Sequence, residues 1–563
     1  MDETEKRYNN VLTVIDKRLI PNEEAKKARG EVFTPLPLVR EMLFGLRKSA
    51  IDAGRTEVWG VDESGRCIED NESNRIGGIP LPVWRNPETT WLDPANGIGN
   101  FPVVAFYMLD YQLGEHGPSA FKGEDKKRYR RKHIVEKMLF MIELNKGNVN
   151  TSRKIFEQMV PGAKANICCA DTLSMTDAKL KEVFDVNRFD VVMGNPPFNE
   201  GGTHQTGSAI WPYFIYNLKT YVFPGAINIL NKNGFLLFII PQGWRTPAYA
   251  NVLEIMRPFN ILTIVIIGTA QQAFKINFPV DYFVLEKKKS EVNTNIRNLD
   301  LNISEEVDID KLPIIPNYGW SIFEKWQEMH LPRLAVTRSS SHTSSKKTIY
   351  NPKETSIFKY KIIKNMNAKG INIEYSSVKH PDQDKIKVLV AFGSYLYPYI
   401  DRGESGVSEN VFYILCDTIK QAEIIKDFLD NKFIKCLVSA LKVSSYAVSH
   451  KLLSYIPDPT EFTTTDLQTE LFLTPKDVSF LETCRTGSAD ANTLQRRATT
   501  QKKPRISATE RQVATKAERA ETVRRKTERI EASAARKISR KATSLKKGGA
   551  CSNRTRKVRR YYA

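Results

Sequence analysis

The sequence predicts an α/β fold: a doubly wound sheet of seven mainly parallel strands closing in a C-terminal hairpin, then a smaller α+β domain and a basic tail. Three observations predict it. From about residue 30 to 288, short apolar runs alternate with helix-length segments, as repeated βαβ units require. Apolar runs return between 386 and 460 after a polar stretch. Beyond Cys484 they give way to isolated Val, Ile or Leu residues among many cations.

Taken in order, residues 1–28 are polar with helical patterning and read as a cap. The main domain, 29–288, places strands at Thr90–Leu92, Leu139–Ile142, Ala165–Cys169, Phe189–Met193, Phe235–Ile240, Leu262–Ile267 and Tyr282–Glu286. The last two lie too close for a crossover helix, which predicts a hairpin at one edge. Arg55–Pro87 and Tyr111–Lys132, rich in Gly, Pro and charge, read as loop insertions. Residues 289–483 form a polar, partly Ser-rich hinge and a second domain, with strands at Val388–Ala391 and Val411–Cys416 and an amphipathic helix near Thr418–Leu429. The tail, 484–563, carries one apolar residue per two turns, too few to bury a core, and is expected to be disordered.

Charge follows the same division. The tail holds 24 Lys and Arg against 6 Asp and Glu, whereas the other 483 residues hold 60 against 58. The body is nearly neutral and the tail is a polycation suited to phosphates. The seven cysteines include no Cys-x-x-Cys pair, so neither a zinc site nor a disulfide framework is expected, and Cys168-Cys169 read as packing residues. No apolar run approaches the roughly 18–20 residues that span a bilayer, and the charged N-terminus lacks a signal-peptide core, so an intracellular protein is expected.

The chemistry gathers where strands end. The first strand runs into Asp93-Pro94-Ala95-Asn96-Gly97-Ile98-Gly99-Asn100-Phe101. Glycines between strand and helix let a ligand approach the backbone, although a tight structural turn reads equally well from this segment. The spacing is neither the dinucleotide fingerprint nor a P-loop. Glu143 ends the next strand, where Rossmann-like sheets bind ribose hydroxyls and where a solvated Glu is as common. Asp171 follows the third. The fourth delivers Asn195-Pro196-Pro197-Phe198. An exocyclic amino nitrogen is a poor nucleophile because its lone pair is delocalised into the base. The Asn195 amide oxygen and the Pro196 carbonyl can accept its two hydrogens and free that lone pair, the prolines hold the carbonyl rigid, and Phe198 can stack on the ring. Such a base must leave its duplex.

These motifs resemble those of N6-adenine DNA methyltransferases of restriction-modification systems. Asp93–Phe101 resembles the methyl-donor motif and Asn195–Phe198 the catalytic one. Gly30-Glu31-Val32-Phe33-Thr34-Pro35 resembles the segment that closes over the methionine moiety, and Gly234–Pro241 the strand after catalysis. Their order is the gamma arrangement, with target recognition C-terminal. The resemblance covers about residues 29–288 and implies a seven-stranded Rossmann-like methyltransferase sheet. It implies S-adenosyl-L-methionine as cofactor, held by Phe33, Thr34, Asp93, Ala95, Gly97, Gly99, Phe101, Glu143 (at the ribose) and Asp171 (near the adenine ring). It implies Asn195, Pro196, Pro197 and Phe198 as catalytic, and Asn rather than Ser at 195 favours adenine over cytosine. Double-stranded DNA is the implied substrate and a separate restriction endonuclease a candidate partner.

Residues 386–460 resemble, more loosely, recognition domains of the same enzymes, with Tyr395, Tyr397, Tyr399, Lys442, Tyr446, His450 and Lys451 as candidate DNA contacts. Asp281 with Glu286-Lys287-Lys288 has the residue types of a metal-dependent nuclease at too short a spacing. Two other readings stay open: a non-catalytic DNA-binding protein on this scaffold, with the tail as its binding arm, and an RNA or protein methyltransferase.

Overall fold

The computed structural model describes residues 34–45, 74–200, 208–217, 220–268, 279–343, 349–367, 370–391, 398–442 and 450–461. The N-terminal cap at 1–28, Phe33, Tyr395, Tyr397, Tyr446 and the tail at 484–563 lie outside the described residues. The chain divides into two units, Met1–Leu494 and Gln495–Ala563.

All seven expected strands form: β1 (Trp91–Asp93), β2 (Leu139–Glu143), β3 (Asn166–Cys169), β4 (Phe189–Gly194), β5 (Leu230–Pro241), β6 (Phe259–Ile267) and β7 (Val280–Lys289). The sheet nevertheless has nine strands rather than seven, because β8 (Thr294–Asn298) and β9 (Ile303–Val307) join it. The order is β9-β8-β6-β7-β5-β4-β1-β2-β3. Strand β7 is antiparallel to β5 and β6, and β9 to β8; the other pairings are parallel. The β6–β7 hairpin is therefore interior, since β8 pairs with the far side of β6. The two extra strands escaped the sequence reading because they are half polar: in β8 Thr294, Ile296 and Asn298 face inward while Asn295 and Arg297 alternate with them.

Eight helices matter to the site and its frame: α1 (Leu36–Phe44), α2 (Asn100–His116), α3 (Lys146–Met159), α4 (Asp177–Phe184), α5 (Ala250–Met256), α6 (Trp320–Glu328), α7 (Ile419–Asp430) and α8 (Lys432–Ala440). Alternation along the strands feeds two cores, one on each face of the sheet. Val192, Leu236 and Phe238 enter one, and Val191, Met193, Leu237 and Ile239 the other. The first core continues through Trp320 and Phe323 of α6 to Phe428 and Leu437 of α7 and α8, without an intervening polar hinge.

The 111–132 segment is not simply a loop. Helix α2 runs to His116 and a further helix spans Lys127–His133. Buried Arg130 explains it: Nε donates to Asp110 Oδ1 at 2.6 Å and Nη1 to the carbonyls of Phe121 and Gly123, each at 2.9 Å. A charge that looks solvated in sequence is here an internal brace.

The second domain holds β10 (Val336–Arg338), β11 (Tyr350–Asn351), β12 (Tyr360–Asn367), β13 (Gly370–Ser376), β14 (Ile386–Ala391), β15 (Tyr399–Arg402), β16 (Gly406–Val407) and β17 (Val411–Leu415). They make two four-stranded sheets, β10-β17-β14-β15 and β11-β13-β12-β16. Among the cysteines, Cys169 is exposed rather than packed, and Cys436 is disulfide-bonded, a pairing that local spacing could not reveal.

Candidate active site

The chain passes from β1 to β2 and β3 on one side, then crosses back to β4 on the other side of β1. A doubly wound sheet opens a crevice at such a switch point, outside the carboxyl ends of its strands. The segments after β1, β2, β3 and β4 line one cleft there, of about 900 Å³ including open solvent at its mouth. Asp190 pins β4 in register. Its Oδ2 accepts from the Thr90 amide at 2.8 Å and its Oδ1 from Asn231 Nδ2 at 2.8 Å.

All four residues of the Asn-Pro-Pro-Phe segment face this cleft. Asn195 Oδ1 is buried. Beyond Phe198 the chain doubles back: the Ile210 amide donates to the Phe198 carbonyl at 3.1 Å, and Asn199 bridges Ala209. This fold-back brings Ile210 and Phe214 to the cleft wall. The eight polar or small residues Gly201–Ser208 hide that return from a reading of strand ends alone; the apolar run Ile210-Trp211-Pro212-Tyr213-Phe214 was its available signal.

Of the residues expected at the cofactor, Ala95, Gly97, Glu143 and Asp171 line the same cleft. Glu143 clasps the glycine loop: Oε2 accepts from the Gly97 amide at 2.8 Å and Oε1 from the Asn145 amide at 2.7 Å. Asn148 Nδ2 also donates to Oε1, at 3.4 Å. Gly97 holds φ +57°, a backbone setting in which glycine carries no Cβ penalty. Asp171 caps the turn after β3, accepting from the Leu173 amide at 3.0 Å and from Ser174 Oγ at 3.1 Å.

The remaining expected residues stand behind the wall. Asp93 is 1% exposed and accepts from the Ala95 amide at 3.0 Å. Burial pushes its carboxyl up to about 8; the Ala95 amide opposes this and the charge of Glu143 adds to it. Its carboxylate abuts Gly194, where a Cβ would meet Asp93 Oδ1 at 2.7 Å. The residue before the Asn-Pro-Pro-Phe segment is thus packed on the first loop. Gly99 and Phe101 are buried, Gly99 against Ser152 and Phe156. Thr34 is 3% exposed, and its carbonyl accepts from Asn100 Nδ2 at 2.7 Å, which ties the N-terminal segment to the start of α2. Helix α1, next in the chain, is held on the sheet by Tyr282 Oη donating to Glu41 Oε1 at 2.9 Å. Pro94, Leu144, Asn145, Asn148, Ala170, Thr172 and Leu173 complete the cleft and were not foreseen; each lies within five positions of a foreseen acidic residue.

A cleft with a largely apolar wall, two carboxylates and an amide oxygen suits a flat nucleoside carrying hydroxyls and positive charge. The nuclease reading has no such support. Asp281 is wholly buried and bound by Arg245 Nε at 2.6 Å and Trp244 Nε1 at 2.9 Å, and Lys287 Nζ donates to the Leu230 carbonyl.

Comparison with known proteins bears on this cleft directly. Residues 123–274 match the model of the Eco57I restriction-modification methylase family. The search of curated proteins gives no match. A modification subunit of a putative type I restriction enzyme from Vibrio vulnificus YJ016 is similar at 17% identity, covering 53% of this chain and 53% of that one, with a TM-score of 0.33. The type IIL restriction-modification enzyme MmeI in complex with DNA is similar at 12% identity over 83% of this chain and 80% of that one, with a TM-score of 0.46. A putative class I S-adenosylmethionine-dependent methyltransferase from Listeria monocytogenes is similar at 15% identity over 39% of this chain and 61% of that one, with a TM-score of 0.27. The chain spans about half the length of the first of these. The matched segment contains Glu143, Asp171 and Asn195–Phe198.

Proposed function

We propose that the protein is a DNA methyltransferase that transfers a methyl group from S-adenosyl-L-methionine to the N6 nitrogen of a flipped-out adenine. One observation carries the reading: Asn195, Pro196, Pro197 and Phe198 share a single cleft with Gly97, Glu143 and Asp171. Bound there, the donor supplies a methyl group made electrophilic by its sulfonium. Glu143 accepts from the ribose hydroxyls and Asp171 from the donor's adenine edge. Asp93, behind the loop, accepts from the Ala95 amide and so fixes the shape of the loop at the donor, and Thr34 with Phe33 closes over the methionine moiety. Asn195 Oδ1 and the Pro196 carbonyl accept the two hydrogens of the target amino group, so its lone pair turns toward the methyl carbon. Phe198 stacks on the base, and rigid prolines leave little to order as the charge develops. The nitrogen sheds its proton once methylated, so no strong general base is needed. Residues 289–483 read the target sequence, and cleavage of unmodified DNA belongs to a separate restriction endonuclease.

Labelled S-adenosyl-L-methionine with unmethylated duplex DNA, followed by mapping of modified bases, tests the reading. Label at adenine N6 is expected. Label on cytosine, RNA or protein would replace the reading. Asn195→Ala is expected to lower transfer at least ~100-fold, the scale of losing one preorganised polar contact to the reacting group, while calorimetry shows donor binding retained.

A further inference from the structure

A second groove opens beside the segment that succeeds β5. Pro247, Arg333, Thr337, Lys451, Ser454 and Tyr455 line it. Its parts are held firmly. The Arg333 guanidinium lies over the Tyr455 ring, 4.9 Å from the centroid, and Nη2 donates to Gln327 Oε1. The backbone of Arg333 bridges Pro457, and the Leu334 amide donates to the Ile456 carbonyl at 2.9 Å. Strand β10, whose Val336 and Thr337 line the groove, is the outer strand of its sheet and pairs only with β17 among the described residues. The Val336 amide donates to the Leu334 carbonyl at 3.0 Å. The rim is basic. Arg338, which reaches Glu409 at 3.4 Å, and Lys451 both act on His450, adding to burial in holding its imidazole below the usual value. The nearby Asp458, half-buried, accepts through Oδ1 from the Thr460 amide at 3.1 Å.

A planar guanidinium fixed by an aromatic face and an ammonium together fit the oxygens of phosphodiesters. They offer no pocket for a base. The groove also neighbours the cleft: Tyr249, two residues beyond Pro247, packs on Trp211 with ring centroids 4.9 Å apart, and Trp211 comes directly after the cleft residue Ile210.

We propose that this groove seats the sugar-phosphate backbone of the duplex whose target base enters the cleft. The inference rests on the methyltransferase reading for the identity of that duplex. Its contacts position the DNA and carry no sequence information.

The test uses the full chain with Arg333→Gln and Lys451→Gln combined. Its control, Lys122→Gln with Lys126→Gln, makes the same change in net charge on a distant surface. Duplex affinity is measured against KCl concentration, and methyl transfer to the same duplex is followed with labelled donor. The groove variant is expected to flatten the log-log salt slope by about 2, near 0.9 per lost phosphate contact. Its KM for DNA should rise several-fold with donor affinity unchanged, and the control should keep the wild-type slope. Equal slopes for the groove variant and the wild type would overturn the groove, as would equal flattening in both variants. A wild-type protein that binds the duplex but transfers no methyl to it would instead remove the methyltransferase reading, with the slopes still deciding the groove.

Discussion

Asp93 is a carboxyl group placed where water cannot reach it, and its titration should be visible in stability. Burial raises its pKa from 3.8 to about 8. Between those values the folded protein binds a proton that the unfolded chain releases, so this residue's contribution to stability is full below about pH 4 and is lost as pH rises through about 8. Thermal unfolding of the wild type and Asp93→Asn across that range should give curves that converge at low pH and separate as pH rises, with the wild type losing more. Glu41 and Asp281 are also raised by burial, and the difference between the two proteins isolates Asp93 from them. The chemistry of this residue was legible from its place at a strand end. Its burial was not, because burial comes from Gly194, about a hundred positions away in sequence and adjacent only once β1 and β4 pair.

Among elements, the turn after β5 ties the sheet to the Ile315–Asn317 segment ahead of α6. Arg245 and Asp281 are both fully buried; Nη1 of Arg245 donates to the Ile315 carbonyl at 2.7 Å and Nη2 to Asn317 Oδ1 at 2.9 Å. Asn317 in turn accepts through its backbone carbonyl from Asn298 Nδ2 of β8 and donates through its own Nδ2 to the Lys442 carbonyl just past α8. Arg245→Met leaves the Asp281 carboxyl buried without its cation and should cost ~3–5 kcal/mol in urea unfolding, while Arg245→Met with Asp281→Leu should recover much of that loss. Strands with continuous apolar runs, such as β4 and β5, were plain in the sequence because both their faces are covered. Strands β8 and β9 were not, since each is half polar. The Arg245–Asp281 pair left no mark in the sequence, since its partners lie 36 positions apart.

At the scale of the molecule, the two kinds of DNA contact that the proposals imply are separated along the chain. The cleft and groove belong to a body of almost balanced charge, and the cations concentrate beyond residue 484. Deleting 484–563 should weaken duplex binding mainly at low salt and leave the methylated sequence unchanged, as gel-shift titration and modification mapping would show. This division was readable from composition alone, because charge is counted without knowing the fold. Which residues of 289–483 would meet DNA under the proposed function was not settled by the sequence, because loops and edge strands carry no periodicity to betray their facing. The Arg245–Asn317 linkage also bears on protein engineering. Exchanging recognition regions between enzymes of this kind invites a junction at residue 288, where the expected sheet ends. Such a junction would remove β8 and β9 and leave Arg245 short of two acceptors at 315 and 317. A graft that keeps the host sequence through Asn317 should fold, and one joined at 288 would leave the buried Arg245 with Asp281 but without its acceptors at 315 and 317.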